Sequence, residues 1–327
     1  MTMRRRNLIL AGLAAGLGTG VLAGRVAAQA YPDRPIRLVQ GFAPGGNADN
    51  IARLVGGEMA KGLGQSVVVE PSPGAGGTIA ATKVANATPD GYTLLLATGG
   101  HAVAGAIYKQ LAYETVDSFD MIGTITFFPF LIVANAEKGP RTLPALLDAA
   151  RSGSGGITYG SAGIGTTQHL TGELLSSMGK VKLVHVPYRG DTGALTALIG
   201  GEVQFVVAPA TAALPHVQSG RLVALAATGP ERWSGLPDLP TVAEQGVADF
   251  DVQSWAGIVA PKGVPRPVVD RLNDELQKAL QVQEVRTRLE SFGGVVRGGT
   301  PEAMKTMLSQ QLAKWQEVVT RAEIPRQ

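Results

Sequence analysis

The chain contains no cysteine. That excludes disulfides, thiolate metal sites and cysteine nucleophiles, so an exported form must rest on its core alone. Beyond the first thirty residues there is no basic run, which removes the usual footprint of a nucleic-acid partner. No uninterrupted apolar stretch in that part is long enough to span a bilayer. Metal-ligand spacing is also missing. The four histidines, His101, His169, His185 and His216, show no pairing such as i, i+4 on a helix.

Two familiar chemistries fail on inspection. Ser161-Ala162-Gly163-Ile164-Gly165 begins like a dinucleotide fingerprint, but Gln168 stands where the third glycine belongs, and the Pro44-Gly45-Gly46 turn lacks the Lys-Ser/Thr of a phosphate loop. Ser161 follows Gly160, yet Tyr159 occupies the position of the first glycine in a nucleophile elbow. No catalytic residue, metal or cofactor is therefore expected.

Residues 1–30 read as an export signal. Arg4, Arg5 and Arg6 precede an apolar, glycine-rich stretch, and Ala28 and Ala30 fit a small-residue cleavage site before Tyr31. Both the general secretory route and a twin-arginine route fit, the latter through Arg5-Arg6. A retained anchor is the alternative; shortness, glycine content and the missing lipobox cysteine speak against it. Removing this segment takes four arginines and no acid from a net charge of +3, leaving −1. The remaining roughly 300 residues suffice for a sizeable core, best divided into two domains.

What is present is one theme used repeatedly: a β-like run, a glycine-rich turn, then a helix start. It occurs at 36–55, 67–85, 157–175 and 183–201. Such a turn offers free backbone N–H groups at the positive end of a helix and binds anions without a charged side chain. The periodicity predicts strands at 36–42, 66–70, 92–98, 131–134, 157–161, 183–187, 203–208, 222–227 and 257–260. It predicts helices at 49–63, 78–87, 143–151, 166–178, 192–199, 267–280, 284–292 and 301–322. This is α/β architecture with open, mostly parallel sheets, whose ligands sit at the carboxyl ends of strands.

Within those turns several side chains invite a role. Asp49 suits the cap of the first helix and would hold the turn rigid. Tyr188 offers a hydroxyl and an apolar face to a cleft. Arg189 fits either a carboxylate partner or a solvated loop. His101 and His169 each follow a glycine-rich turn and fit cleft lining or ordinary packing, whereas His185 and His216 read as structural.

The residues also match a family. Tyr31-Pro32-Asp33-Arg34-Pro35-Ile36, Phe42-Ala43-Pro44-Gly45-Gly46-Asn47-Ala48-Asp49, Gly74-Ala75-Gly76-Gly77 and Pro89-Asp90-Gly91-Tyr92 appear in its order. Tyr159-Gly160-Ser161-Ala162-Gly163 with His169-Leu170, Pro187-Tyr188-Arg189-Gly190, Leu239-Pro240-Thr241 and Ala260-Pro261-Lys262-Gly263 complete the series. The chain resembles the substrate-binding proteins of tripartite tricarboxylate transporters, the Bug family of extracytoplasmic receptors. Each stretch is weak alone; their collinear order is specific.

That resemblance implies a type II periplasmic binding-protein fold, with two α/β domains closing by a hinge on a ligand cleft. By analogy domain 1 covers 31–132 plus 255–327 and domain 2 covers 133–254. It implies a periplasmic, non-enzymatic monomer that captures a small organic acid (a dicarboxylate, tricarboxylate or aromatic acid) and delivers it to membrane transporter subunits. A sensor kinase is the alternative partner, and an exported enzyme a more distant reading. Carried over by position, the ligand site comprises Phe42, Ala43, Gly45, Gly46, Asn47 and Asp49 from domain 1. From domain 2 it takes Ser161, Gly163, Thr166, Thr167, His169, Tyr188 and Gly190, with His101 added. Ala208 stands where many relatives carry an aspartate able to meet an ammonium group. Burying an unpaired ammonium is costly, so a ligand without an amino group is expected.

Overall fold

The computed structural model describes residues 31–153 and 155–327. The export-signal reading lies outside the described residues. The chain divides into 1–31, of which Tyr31 alone is described, and a compact body, Pro32–Gln327, to which everything below refers.

The body opens with β1 (Ile36–Gln40), α1 (Asn47–Leu63), β2 (Val67–Pro71), α2 (Thr78–Ala85), β3 (Thr93–Thr98), α3 (Gly99–Ile107) and β4 (Phe119–Asn135). It continues through α4 (Leu143–Ser152), β5 (Ile157–Ser161), α5 (Thr167–Gly179), β6 (Leu183–Pro187), α6 (Asp191–Gly200), β7 (Phe205–Pro209), α7 (Ala210–Gln218) and β8 (Leu222–Ala227). It ends with β9 (Gln253–Pro261), α8 (Arg266–Gln281), α9 (Gln283–Ser291), β10 (Val295–Val296) and α10 (Pro301–Arg321).

The strands run in the order β2-β1-β3-β9-β4-β7-β5-β6, with β8 and β10 also on β4. The β2-β1-β3 and β6-β5-β7 sets are parallel, as their βαβ spacing requires. The sheet is nonetheless mixed, because β9 is antiparallel to β3 and β4, and β4 is antiparallel to β7 and β8. β4 joins the two sets: residues 119–129 pair with β9, and residues 130–134 pair with β7. Thr228, fully buried, ties this change of partner. Its hydroxyl receives Phe130 N–H and donates to Val252 O at 2.8 Å, and its own N–H reaches Phe130 O.

Burial follows the run pattern. β3 and β7 are covered on both faces and read as continuous apolar stretches. Trp255 on β9 and Trp315 on α10 are also buried. Thr300 caps α10, accepting Ala303 N–H, with Pro301 and Glu302 in the first turn.

Besides the short β10, three elements depart from the sequence reading. α3 starts at Gly99-Gly100, a pair of poor helix formers that reads as a turn. α7 contains Pro215, which reads as a break. β4 is seventeen residues long; Gly123 and Pro129 and its two register shifts against β9 hid all but its last part.

Candidate functional site

The helix that follows β1 begins at Asn47, so Asp49 is its third residue and not its cap; Gly46 takes the cap position without a side-chain bond. Asp49 instead reaches back. Its Oδ2 accepts Gly45 N–H at 3.0 Å and Arg53 Nε at 2.8 Å, and its Oδ1 lies 3.4 Å from Gln40 Nε2. Gln40 Oε1 in turn accepts Phe42 N–H at 2.7 Å. Burial raises the carboxyl's pKa, but Arg53, Gly45 and Gln40 outweigh it and hold it below the ordinary value. The turn is therefore fixed by a charge at its base, leaving the amides at the start of α1 to face outward.

They face a narrow cavity of about 30 Å³. Four helix starts border it: Asn47 and Ala48 of α1, Thr98 and Gly100 at α3, Thr166, Thr167 and Gln168 at α5, and Asp191 of α6. Phe42, Phe128, Phe130 and Pro209 supply an apolar wall, with Ser254 beside them. No lysine, arginine or histidine lines it. The favourable potential for an anion comes from the converging main-chain N–H groups. The lining includes a buried side-chain atom without a partner, Thr167 Oγ1, on a residue 2 % exposed. A buried hydroxyl left unpaired costs about 1–3 kcal/mol, which a ligand atom would recover.

α5 is capped by Thr166, whose Oγ1 lies 3.3 Å from His169 N and donates to Gly163 O at 2.7 Å. Ser161, fully buried, accepts Gly163 N–H at 3.1 Å and lies 2.6 Å from His185 Nε2. This serine–histidine pair was hidden by a spacing of 24 residues. It pins the β5–α5 turn: the serine is enclosed and already bonded. His185 stacks on His169 at 4.1 Å. Burial lowers the pKa of His169 to about 4, and burial together with His169 lowers that of His185 to about 3, so both rings are neutral near pH 7. His101 is lowered to about 4 by burial, against its bond to Thr115 O, and stacks on Tyr113.

The predicted residues thus fall into groups. Phe42, Asn47, Thr166 and Thr167 line the inner cavity. Gly163 and Tyr188 line an outer hollow with Phe42, Gly76, Ile164 and the exposed Arg189. His101 borders a third, with Phe42 and Gly76. Ala43, Gly45, Gly46, Asp49, Ser161, His169 and Gly190 stand behind these linings as backbone or support. Gly190 and Ala43 lie close together; a Cβ at Gly190 would lie 3.5 Å from that of Ala43. Ala208 packs in an apolar cluster with Leu131, Val133 and Leu195.

Sequence reasoning missed Thr98, Phe128, Phe130, Gln168, Ser254 and above all Asp191. An acid directly after Gly190, in the first turn of α6, was the available signal. Its carboxyl borders the cavity, accepts Gln168 Nε2 at 3.0 Å and the Asn47 N–H, and is pushed up to about 6, by burial against those two bonds. The acid sought at position 208 is therefore present in the cavity from another element, and the expectation of a ligand without an amino group loses its premise.

The sequence profile described as tripartite tricarboxylate transporter family receptor matches residues 51–324. The chain belongs to this family. A UPF0065 protein from the tcbD-tcbE intergenic region of Pseudomonas sp. (strain P51) is 36% identical over 316 residues, covering 96% of this chain and 94% of the other. The solved periplasmic binding protein BugD is 38% identical with a TM-score of 0.87, covering 91% of this chain and all of its own. MatC from Rhodopseudomonas palustris, solved with bound malate, is 35% identical with a TM-score of 0.84, covering 88% of this chain and 100% of MatC.

This receptor accordingly has the two-domain periplasmic binding-protein fold and is a solute-binding protein, not an enzyme. Among the described residues no three potential metal ligands gather, and no helix is long and apolar enough to cross a membrane. In the receptor the first shared stretch supplies Phe42, Asn47 and Ala48 to the inner cavity, while Phe128, Phe130, Pro209 and Asp191 come from outside the shared stretches.

Proposed function

We propose that this protein is an exported periplasmic receptor that captures a small organic carboxylate in the inner cavity and hands it to a tripartite tricarboxylate membrane transporter. The observation that carries this reading is the enclosed Thr167 hydroxyl, without a partner, where four helix starts converge and no cationic side chain is present. The lobes are taken as 31–132 plus 255–327 and 133–254, hinged where β4 changes partner and Thr228 bridges the crossing. A ligand touching α1 and α3 on one side and α5 and α6 on the other draws them together.

Magnitudes limit how this works. A helix start gives roughly 0.3–1 kcal/mol per exposed anion contact, whereas micromolar binding needs about −8 kcal/mol. Direct hydrogen bonds in a dry cavity, and burial of an apolar ligand body against Phe128 and Phe130, supply the remainder. The malate bound by MatC supports a hydroxy- or dicarboxylate; the three phenylalanines support an acid with an apolar or aromatic body.

Calorimetry with malate, adipate and benzoate, each beside its methyl ester, tests the reading. At least one free acid is expected to bind with its ester at least about tenfold weaker; esters binding as well as acids would contradict it. Thr167→Val removes one hydroxyl at constant shape. It is expected to leave the melting temperature unchanged or higher, since no internal bond is lost, while weakening the bound acid about tenfold.

A further inference from the structure

Asp191 places a carboxylate in a cavity whose proposed task is to hold another. It projects from the first turn of α6 and takes the amide hydrogen of Asn47, the first residue of α1 across the cleft. Its other donor is Gln168 Nε2. A Cβ on Gly46 would lie 3.5 Å from Asp191 Oδ2, so the carboxylate sits against the glycine turn itself. The protein's own side chain thus occupies part of the seat that the preceding reading gives to the ligand. Thr167, beside Gln168 in the same cavity, is the unpartnered hydroxyl, so the seat is only partly filled.

The surrounding charges do not neutralise Asp191. On α1, Asp49 is turned to Gly45 and Gln40 and paired with Arg53. On α5, His169 faces His185, and Glu173 receives the Tyr159 hydroxyl. On α3, His101 donates to Thr115 O. On the loop before α6, the Tyr188 hydroxyl points to Glu202, and Arg189 borders the outer hollow. Asp191 therefore has hydrogen-bond donors and no cation. Two carboxylates brought together in such a site share one proton, because like charges a few ångströms apart in a dry cavity do not both stay ionised.

We infer that capture of a carboxylate by this cavity is coupled to uptake of one proton by Asp191. Asp191 is then a specificity residue. It disfavours fully ionised acids at alkaline pH, and it favours ligands that present a hydroxyl or other hydrogen donor opposite their carboxylate. The inference rests on the carboxylate reading of the same cavity. Its sign follows from that pairing: the ligand's charge raises the Asp191 titration point, which is already raised in the free protein, so the complex binds more protons than its parts.

The test is calorimetry of the whole exported chain with malate, adipate and benzoate at pH 7, in two buffers of different ionisation enthalpy, repeated from pH 5.5 to 8. The wild type is expected to take up close to one proton per ligand. Above about pH 6 its affinity is expected to fall by up to about tenfold per pH unit, toward the higher titration point of the complex. Asp191→Asn is expected to take up none and to show a flat profile, binding at pH 8 as the wild type does at pH 5.5. The proton count in the wild type reads the coupling without relying on the variant. An acid that binds the wild type at pH 7 with no proton uptake overturns the inference and leaves the receptor reading standing. Absence of binding by all three acids across the whole range overturns both.

Discussion

Gly76→Ala is expected to weaken ligand binding about a hundredfold while the protein still folds. Gly76 lies in the second glycine turn with φ +64°, and a Cβ there would stand 2.5 Å from Ile164 O and 3.1 Å from the Gly165 carbonyl carbon. These are backbone atoms on the β5–α5 turn, across the outer hollow, and they cannot swing aside as a side chain would. The substitution has two separable costs. The left-handed backbone costs an alanine about 1–2 kcal/mol in any state of the folded protein. The overlap with Ile164 exists only when the two turns meet, so it penalises the closed form alone. A hundredfold loss corresponds to about 2.7 kcal/mol, the cost of forcing the two turns apart when one contact of this kind is blocked. Calorimetry for affinity and small-angle scattering for closure check it: the variant should remain extended when ligand is added. Unaltered affinity would mean that capture does not need this approach of the two turns.

The second large effect is at Asp49. Asp49→Ala is expected to lose about 2–3 kcal/mol of stability at pH 7 and to bind ligand at least about thirtyfold more weakly. The side chain is 3 % exposed and holds Gly45, Gln40 and Arg53 together. Removing it leaves a glycine turn without its anchor and unpaired buried donors, a loss of charge-assisted hydrogen bonds worth about 1.5–3 kcal/mol each. Arg53 remains half in solvent, which keeps the deficit below that of a fully buried pair. The pH dependence has a defined sign. The folded carboxyl titrates below the ordinary value of 3.8, so its stabilisation is present above about pH 4 and is lost as pH falls through the folded value. Denaturant melts at pH 7 and pH 3 should show a deficit that shrinks in acid. A deficit of equal size at both pH values would show that the cost is lost packing.

Asp49 also marks where the sequence was legible and where it was not. Its chemistry, an acid at a helix start after glycines, is readable, but its position in the first turn depends on the helix beginning two residues earlier than the periodicity indicates. The parallel strands and their glycine turns were visible because βαβ units repeat a local pattern. α3 was hidden by Gly99-Gly100, where burial overrides the glycines' intrinsic preference, and α7 by the exposed Pro215 within it. The mixed character of the sheet depends on β4 and β9 running against it, and pairing partners far apart in the chain leave no local trace. The same holds for the site. Phe42, Asn47, Thr166 and Thr167 lie in turns that advertise themselves. Phe128 and Phe130 belong to a strand the sequence only half revealed, and Ser254 to the start of β9. Asp191 meets Asn47 across 144 positions of chain, a meeting created only by the fold.

The measurement that bears most directly on the central claim is a crystal structure of the protein carrying the acid that co-purifies with it or binds it in solution. The account predicts a ligand carboxylate in the inner cavity, within hydrogen-bond distance of the amides opening α1 and α5 and of Thr167 Oγ1. A ligand whose anionic group lies outside that ring of helix starts, or an uncharged molecule filling it, would contradict the account.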